Sequence, residues 1–181
     1  MKLVVLDRDG VINRDSPDFI RTVADWEPLP GSLAAIAALT TAGWTIVVAS
    51  NQSGVGRGLL TAEELERINA RMRAAVEHAG GRIDSIFVCP HAPEDGCDCR
   101  KPEPGLLIRI GAHYGESLRG VPAIGDSARD LQAAQRVGAR PILVLTGNGH
   151  RTLAALGEAG VPERYPDLAA AAAALMREGR H

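Results

Sequence analysis

Aromatic side chains are scarce: Phe, Trp and Tyr make up 3% of the 181 residues. That excludes the stacking platforms on which single-stranded nucleic acid is bound. Strong charge of either sign is also missing. A formal net charge of −2 offers no broad basic surface to a polyanion, so any anion site must be local. Long apolar runs are absent too, and none approaches the roughly 20 residues that cross a bilayer. The start, Met1-Lys2-Leu3-Val4-Val5-Leu6-Asp7, is apolar too briefly for a secretory signal and ends in charge. These absences set the expectations of a cytoplasmic location, no nucleic-acid partner, no membrane partner and a monomeric chain. Cysteine is limited to Cys89, Cys97 and Cys99, within eleven residues and with His91 among them. A disulfide framework would spread an even number of cysteines along a short secreted chain.

What is present suits a globular α/β domain. The hydrophobic fraction of 45% and the length of 181 residues allow one core, and no linker or repeat divides the span 1–181. Short, continuously apolar runs at 2–6, 45–49, 85–88, 122–124 and 141–145 read as strands buried on both faces. Helices are expected over 32–41, 62–79, 105–113 and 128–137. The alanine-rich stretch 167–179 suits a terminal helix. Thr61 is the expected N-cap of the second helix, with Glu64 completing a capping box. Leu65, Ile68, Met72 and Val76 then form its core-facing stripe. Strictly alternating strands and helices imply a parallel sheet sandwiched by helices, Rossmann-like in architecture.

In such a sheet, ligands bind beyond the carboxyl ends of the strands. The polar residues of interest fall there. Asp7 and Asp9 follow the first strand, and Ser50, Asn51, Gln52 and Ser53 the second. Arg100 and Lys101 follow the third, and Asp126 and Ser127 the fourth. Cleavage of a phosphate ester needs a nucleophile, an acid for the leaving oxygen and cations to spread charge. Asp7 suits attack on phosphorus. Asp9 suits proton transfer to the leaving group and then from water. Asp7, Asp126 and a main-chain carbonyl near Asp9 offer hard oxygen ligands to one Mg2+. Asn51, Gln52 and Ser53 offer donors to phosphate oxygens, and Lys101 a cation to both Asp7 and the phosphoryl group. Asp130 reads either as support for a cation or as an ordinary acid at a helix N-terminus.

The segments Asp7-Arg8-Asp9-Gly10, Ser50-Asn51-Gln52, Arg100-Lys101-Pro102 and Gly125-Asp126-Ser127, in this order and spacing, resemble the four motifs of the haloacid dehalogenase (HAD) superfamily of phosphatases. The resemblance implies a HAD-like fold, Asp7 as nucleophile, Asp9 as general acid and base, Ser50 and Lys101 on the phosphate, and Asp126 on Mg2+. Only short segments, 11–26 and 55–60, are available to cover the crevice, so no large cap is expected.

Cys89-Pro90-His91 and Cys97-Asp98-Cys99 together give C-x-H-x5-C-x-C. Three thiolates and an imidazole complete a tetrahedral Zn2+ site with no open position, which makes it structural. The loop 89–99 would then fix the direction of Arg100 and Lys101. This pattern is similar to the zinc-bearing branch that includes D-glycero-D-manno-heptose 1,7-bisphosphate 7-phosphatases and the histidinol-phosphatase domain, and residues 51–58 resemble the heptose enzymes more. That resemblance implies removal of the 7-phosphate from a phosphorylated sugar, on the way to ADP-heptose for lipopolysaccharide core or to a GDP-heptose. Arg57 and Arg100 are the cations placed to meet the second phosphate of a bisphosphate. Ser127 stands where the heptose enzymes are expected to carry lysine. The competing readings are a phosphatase for histidinol phosphate or a polynucleotide 3′-phosphate, and a zinc-stabilised scaffold without catalysis.

Overall fold

The computed structural model describes residues 1–161 and 163–179; the domain span read from the sequence also includes Pro162, Arg180 and His181, which lie outside the described residues. The chain runs β1 (Leu3–Leu6), α1 (Ser32–Thr41), β2 (Thr45–Asn51), α2 (Ser53–Gly56), α3 (Ala62–His78), β3 (Ser85–Cys89), α4 (Gly105–Tyr114), β4 (Pro122–Gly125), α5 (Ala128–Arg136), β5 (Arg140–Val144), α6 (Gly149–Gly160), β6 (Arg164–Tyr165) and α7 (Leu168–Glu178). Single 3-10 turns lie at Val23–Asp25 and Pro93–Asp95. Among the described residues the strands form one sheet in the order β3-β2-β1-β4-β5-β6. Every pairing is parallel, as the continuous apolar strands require.

Side chains of a strand alternate between the two faces of the sheet. Val4 and Leu6 therefore join Ile46, Val48, Ile124 and Val144 in a core closed by α1, α3 and α7. Leu3 and Val5 join Val47, Ala49 and Ala123 on the opposite face, under α4 and α5. Each fully buried aliphatic side chain stabilises by about 1.5–3 kcal/mol. The central position of β1 matters most for function. The chain winds outward from β1 to β3, then returns to place β4 on the other side of β1. The crevice of an open parallel sheet opens at such a reversal, here between the ends of β1 and β4.

The expected strands and helices are found with end shifts of one or two residues. One capping detail differs. Thr61 Oγ1 accepts from Glu64 N at 3.1 Å, but Glu64 does not return the bond, because its carboxylate pairs with Arg67. The terminal helix α7 starts at its N-cap Asp167, whose carboxylate accepts from Ala170 N at 2.8 Å, and packs against α1. Neither short segment over the crevice carries a helix longer than the four residues of α2, so no helical cap covers it among the described residues.

Candidate active site

Four strand ends build the site. After β1, the Asp7 amide donates to Ile124 O at 2.9 Å, which ties the start of the loop to β4. The chain then turns tightly at Gly10, whose φ is +85°. A Cβ on Gly10 would lie 2.1 Å from Asp126 Oδ2, and one on Gly147 would lie 2.3 Å from the same atom. Two side-chain-free positions thus make the space that Asp126 occupies. Asn148 N donates to Asp126 Oδ2 at 2.8 Å and holds it there.

Lys101 sits at the floor, 5% exposed. Its Nζ donates to Asp7 Oδ1 at 3.0 Å, Asp130 Oδ1 at 2.6 Å and Ala49 O at 2.8 Å, so all three donors are used. Burial alone would lower its pKa; Asp130 and Asp7 outweigh burial and hold it protonated. Asp130 is doubly committed. Besides Lys101, its other oxygen accepts from Asp126 N at 3.2 Å, Ser127 N at 3.0 Å and Ser127 Oγ at 2.7 Å. Both sequence readings of Asp130 therefore hold together: it caps the start of α5 and supports a cation.

The second strand end behaves differently from expectation. Asn51 lines the crevice, but its Nδ2 donates to Lys101 O at 3.0 Å and its Oδ1 accepts from Lys101 N at 2.9 Å. Gln52 donates through Nε2 to Asp9 Oδ2 at 3.0 Å and to Ser50 Oγ at 2.7 Å. Expected as phosphate donors, these two amides also hold the lysine backbone and the second aspartate. Ser50 is buried beneath the crevice, and Ser53 Oγ accepts from Arg57 Nε at 3.3 Å.

The crevice has a volume of about 300 Å³ and brings Asp7, Asp9, Gln52, Arg57, Arg100, Lys101 and Asp126 together. Negative charge outweighs positive charge at its floor. Among the described residues, the carboxylates of Asp7, Asp9, Asp126 and Asp130 pair only with Arg8 and Lys101. Burial, then repulsion from Asp130, pushes Asp7 well above the usual carboxylate range against the pull of Lys101. The same two causes push Asp126 up to about 7. Asp9 differs: burial would raise it, but the Arg8 guanidinium and hydrogen bonds from Arg8, Asn13 and Gln52 hold it below the usual range.

A divalent cation fits this imbalance. Oxygens of Asp7, Asp126 and Asp130 lie within 4.8 Å of one another. Since both Asp130 oxygens are occupied, Asp7 and Asp126 are the pair left to face a metal. The donor set is all hard oxygen, which suits Mg2+. The second cluster is soft. One ligand atom from each of Cys89, His91, Cys97 and Cys99 lies within 4.8 Å of the others. The Sγ atoms stand 2.9–3.6 Å apart, too far for the roughly 2.05 Å of a disulfide. His91 Nδ1 lies 3.5 Å from Cys89 Sγ and 3.3 Å from Cys99 Sγ. Such a compact Cys3His set is compatible with tetrahedral zinc.

Several residues of the site escaped the sequence reading. Arg8, between the two aspartates, is fully buried and donates to both Asp9 oxygens. Strand alternation was its signal, because a residue between two crevice-facing positions must point into the core. Asn148 follows β5, where the rule that named the other strand ends also applies. Arg129, on the first turn of α5, lines the crevice beside Arg100. Ser127, which stands where a lysine is expected, is the N-cap of α5.

Comparison with known proteins agrees with this geometry. The family model described as HAD-hyrolase-like matches residues 98–172. The D-glycero-beta-D-manno-heptose-1,7-bisphosphate 7-phosphatase of Pseudomonas putida is 54% identical over 97% of this chain and 100% of its own. The D-glycero-alpha-D-manno-heptose-1,7-bisphosphate 7-phosphatase of Mycobacterium tuberculosis is 41% identical over 74% of this chain and 72% of its own. The crystal structure of D,D-heptose 1,7-bisphosphate phosphatase from Bordetella bronchiseptica, complexed with magnesium and phosphate, superposes with a TM-score of 0.95 at 52% identity. It covers 98% of this chain and 99% of that one. With identity above one half carried along nearly the whole length, this chain belongs to the D-glycero-D-manno-heptose 1,7-bisphosphate 7-phosphatase family of HAD-like hydrolases.

Proposed function

We propose that this chain is a magnesium-dependent phosphatase that removes the 7-phosphate of D-glycero-β-D-manno-heptose 1,7-bisphosphate by way of an aspartyl-phosphate on Asp7. The observation that carries the reading is Asp7 Oδ1 held 3.0 Å from Lys101 Nζ beside Asp126, at the floor of an open crevice. The relatives that share about half of their residues with this chain carry the β-anomer in their names, and the 41% relative the α-anomer, which favours β.

Asp7 attacks phosphorus in line with the departing O7, and Lys101 balances charge on both the attacking carboxylate and the phosphoryl oxygens. Asp9 relays to O7, as the ester bond breaks, the proton that the monoanionic phosphate ester brings into the crevice. It then takes a proton from the water that attacks the aspartyl-phosphate, which releases inorganic phosphate and restores Asp7. Asp7, Asp126 and the Asp9 main-chain carbonyl hold Mg2+, which offsets the repulsion between the anionic nucleophile and the anionic ester. Asn51 and Gln52 act by fixing Lys101 and Asp9. Cys89, His91, Cys97 and Cys99 would hold a structural Zn2+.

The distal phosphate meets the arginine rim. Among the described residues, Arg57, Arg100 and Arg129 have no carboxylate within 4.0 Å, although salt bridges are common elsewhere in the chain. Partial burial, then repulsion from Arg129, lowers the Arg100 pKa, with Arg57 adding to the effect. An anion relieves that repulsion. Arg57 is seated by Ser53 Oγ and by the Phe19 ring, whose centroid lies 5.9 Å from its guanidinium carbon. Histidinol phosphate, with its cationic amine, is disfavoured at this rim.

A panel of both anomers of the heptose bisphosphate, histidinol phosphate and a 3′-phosphorylated oligonucleotide tests the substrate. Fastest Mg2+-dependent phosphate release from the β-anomer, abolished in Asp7→Asn, is the expected result. Arg57→Ala should raise KM for the bisphosphate about tenfold, the scale of one charged hydrogen bond, and leave KM for a monophosphate nearly unchanged. Equal effects on the two substrates would remove Arg57 from the distal site.

A further inference from the structure

We propose that Asn69, on α3 and outside the crevice, is a positioning residue for the reaction, acting through Arg8 to fix the carboxylate plane of Asp9. The inference rests on the reading of Asp9 as the group that protonates the leaving oxygen.

Three observations carry it. First, Arg8 is 0% exposed, and in the structure its guanidinium reaches one carboxylate, that of Asp9. Nε donates to Asp9 Oδ1 at 3.0 Å and Nη2 to Asp9 Oδ2 at 3.3 Å. Such a fork fixes a plane as well as a distance, which a lysine could not do. Second, Asn69 is 5% exposed and falls on the core-facing side of α3 with Leu65, Ile68, Met72 and Val76. A buried amide at a core position needs a partner to offset its desolvation. Its Oδ1 accepts from Arg8 Nη1 at 3.4 Å, across 61 residues of sequence. Third, the remaining contacts of Asp9 come from Asn13 Nδ2 at 2.9 Å and Gln52 Nε2 at 3.0 Å, both on loops. Gln52 also ties Asp9 to Ser50 on β2; Arg8 is the restraint that ties it to the helix layer, where Asn69 on α3 holds its far end. The exposed part of Asp9, 21% of the side chain, is what remains to face the crevice.

A misplaced acid matters only where the leaving oxygen needs its proton. The departing alkoxide of a sugar phosphate needs one; the nitrophenolate of p-nitrophenyl phosphate leaves without it. The test compares kcat/KM, which reports events up to loss of the leaving group, for these two esters. Asn69→Leu should lower kcat/KM for the heptose bisphosphate about tenfold, part of the full contribution of a general acid. It should lower that for p-nitrophenyl phosphate less than about twofold. Asn69→Asp, which keeps an acceptor for Arg8, should retain the wild-type ratio between the two esters. Asp9→Asn separates this inference from the reading beneath it. If Asp9→Asn slows both esters equally, the acid assignment falls. If Asp9→Asn is selective for the sugar ester but Asn69→Leu slows both equally or neither, the acid assignment stands and the role of Asn69 is overturned. Should Asn69→Leu not fold, Asn69→Ser gives the same comparison with the acceptor shortened.

Discussion

Asp126 owes its place to what its neighbours lack. The space its Oδ2 occupies would be filled by a Cβ at either Gly10 or Gly147. Both glycines have positive φ, +85° and +55°, so alanine there is strained as well as crowded. Gly10→Ala should displace the Asp126 carboxylate and cost about 1 kcal/mol or more of stability. Its clearest effect should be on the metal: the Mg2+ concentration for half-maximal activity should rise at least about tenfold. A titration of activity against Mg2+ checks this, and an unchanged midpoint would show that Asp126 does not set metal affinity. At this scale the sequence revealed which atoms are available more readily than where they point. Asp7, Lys101 and Asp126 were legible because a charged residue at a buried strand end has few uses. Asn51 and Gln52 were legible as donors but not as supports of Lys101 and Asp9, since an amide donates to phosphate and to a neighbouring backbone alike. Their partners lie 50 and 43 residues away, at Lys101 and Asp9, which no local pattern displays.

The loop 89–99 belongs to the scale of elements, because it joins three of them. It leaves β3 at Cys89. Pro90 O accepts from Gly56 N at 2.8 Å, which docks α2 on the loop, and Asp98 O accepts from Gly105 N at 2.9 Å, which docks the start of α4. Lys101 lies between Cys99 and that docking point, with its backbone held by Asn51. Burial pushes the Cys89 thiol up to about 12, so its ionisation calls for a cation beside it. Cys97→Ser should therefore reduce bound zinc from about one per chain to near zero and lower Tm by about 5 °C or more. It should also reduce kcat/KM, because Lys101 and Arg100 lose their anchor. Metal analysis alongside a melting curve checks it; full zinc content with an unchanged Tm would overturn the site. The long strands and helices were readable from apolar period and caps. The elements that were missed lack those signals. The two residues of β6 are too few for any period. Glycines at 149, 157 and 160 obscure α6, and Gly157 interrupts it with a φ of +73°. In both, pairing with β5 and packing decide what local propensity leaves open.

For the molecule as a whole, the parallel sheet collects acids from the ends of distant strands and leaves them short of positive charge. The metal-free fold carries that cost, and pH reveals it. Asp126 moves from an ordinary 3.8 to about 7, chiefly through burial. Its folded pKa is raised, so the metal-free native state binds a proton more tightly than the unfolded chain does. Stability from this group is fully present below about pH 4 and is lost as pH rises toward 7. The full difference is worth about 4 kcal/mol at most. Asp7 is shifted in the same direction. Mg2+ competes with these protons for the same oxygens, so its stabilising effect must grow as they leave. Saturating Mg2+ should raise Tm by several degrees more at pH 7.5 than at pH 5.5. In Asp126→Asn, where the proton is replaced by a permanent amide, the Mg2+ shift should be small at both pH values. Melting curves across pH 5–8, with and without Mg2+, decide it. An Mg2+ shift independent of pH, or one retained in Asp126→Asn, would mean that the cation binds elsewhere and that the floor of the crevice is not a metal site.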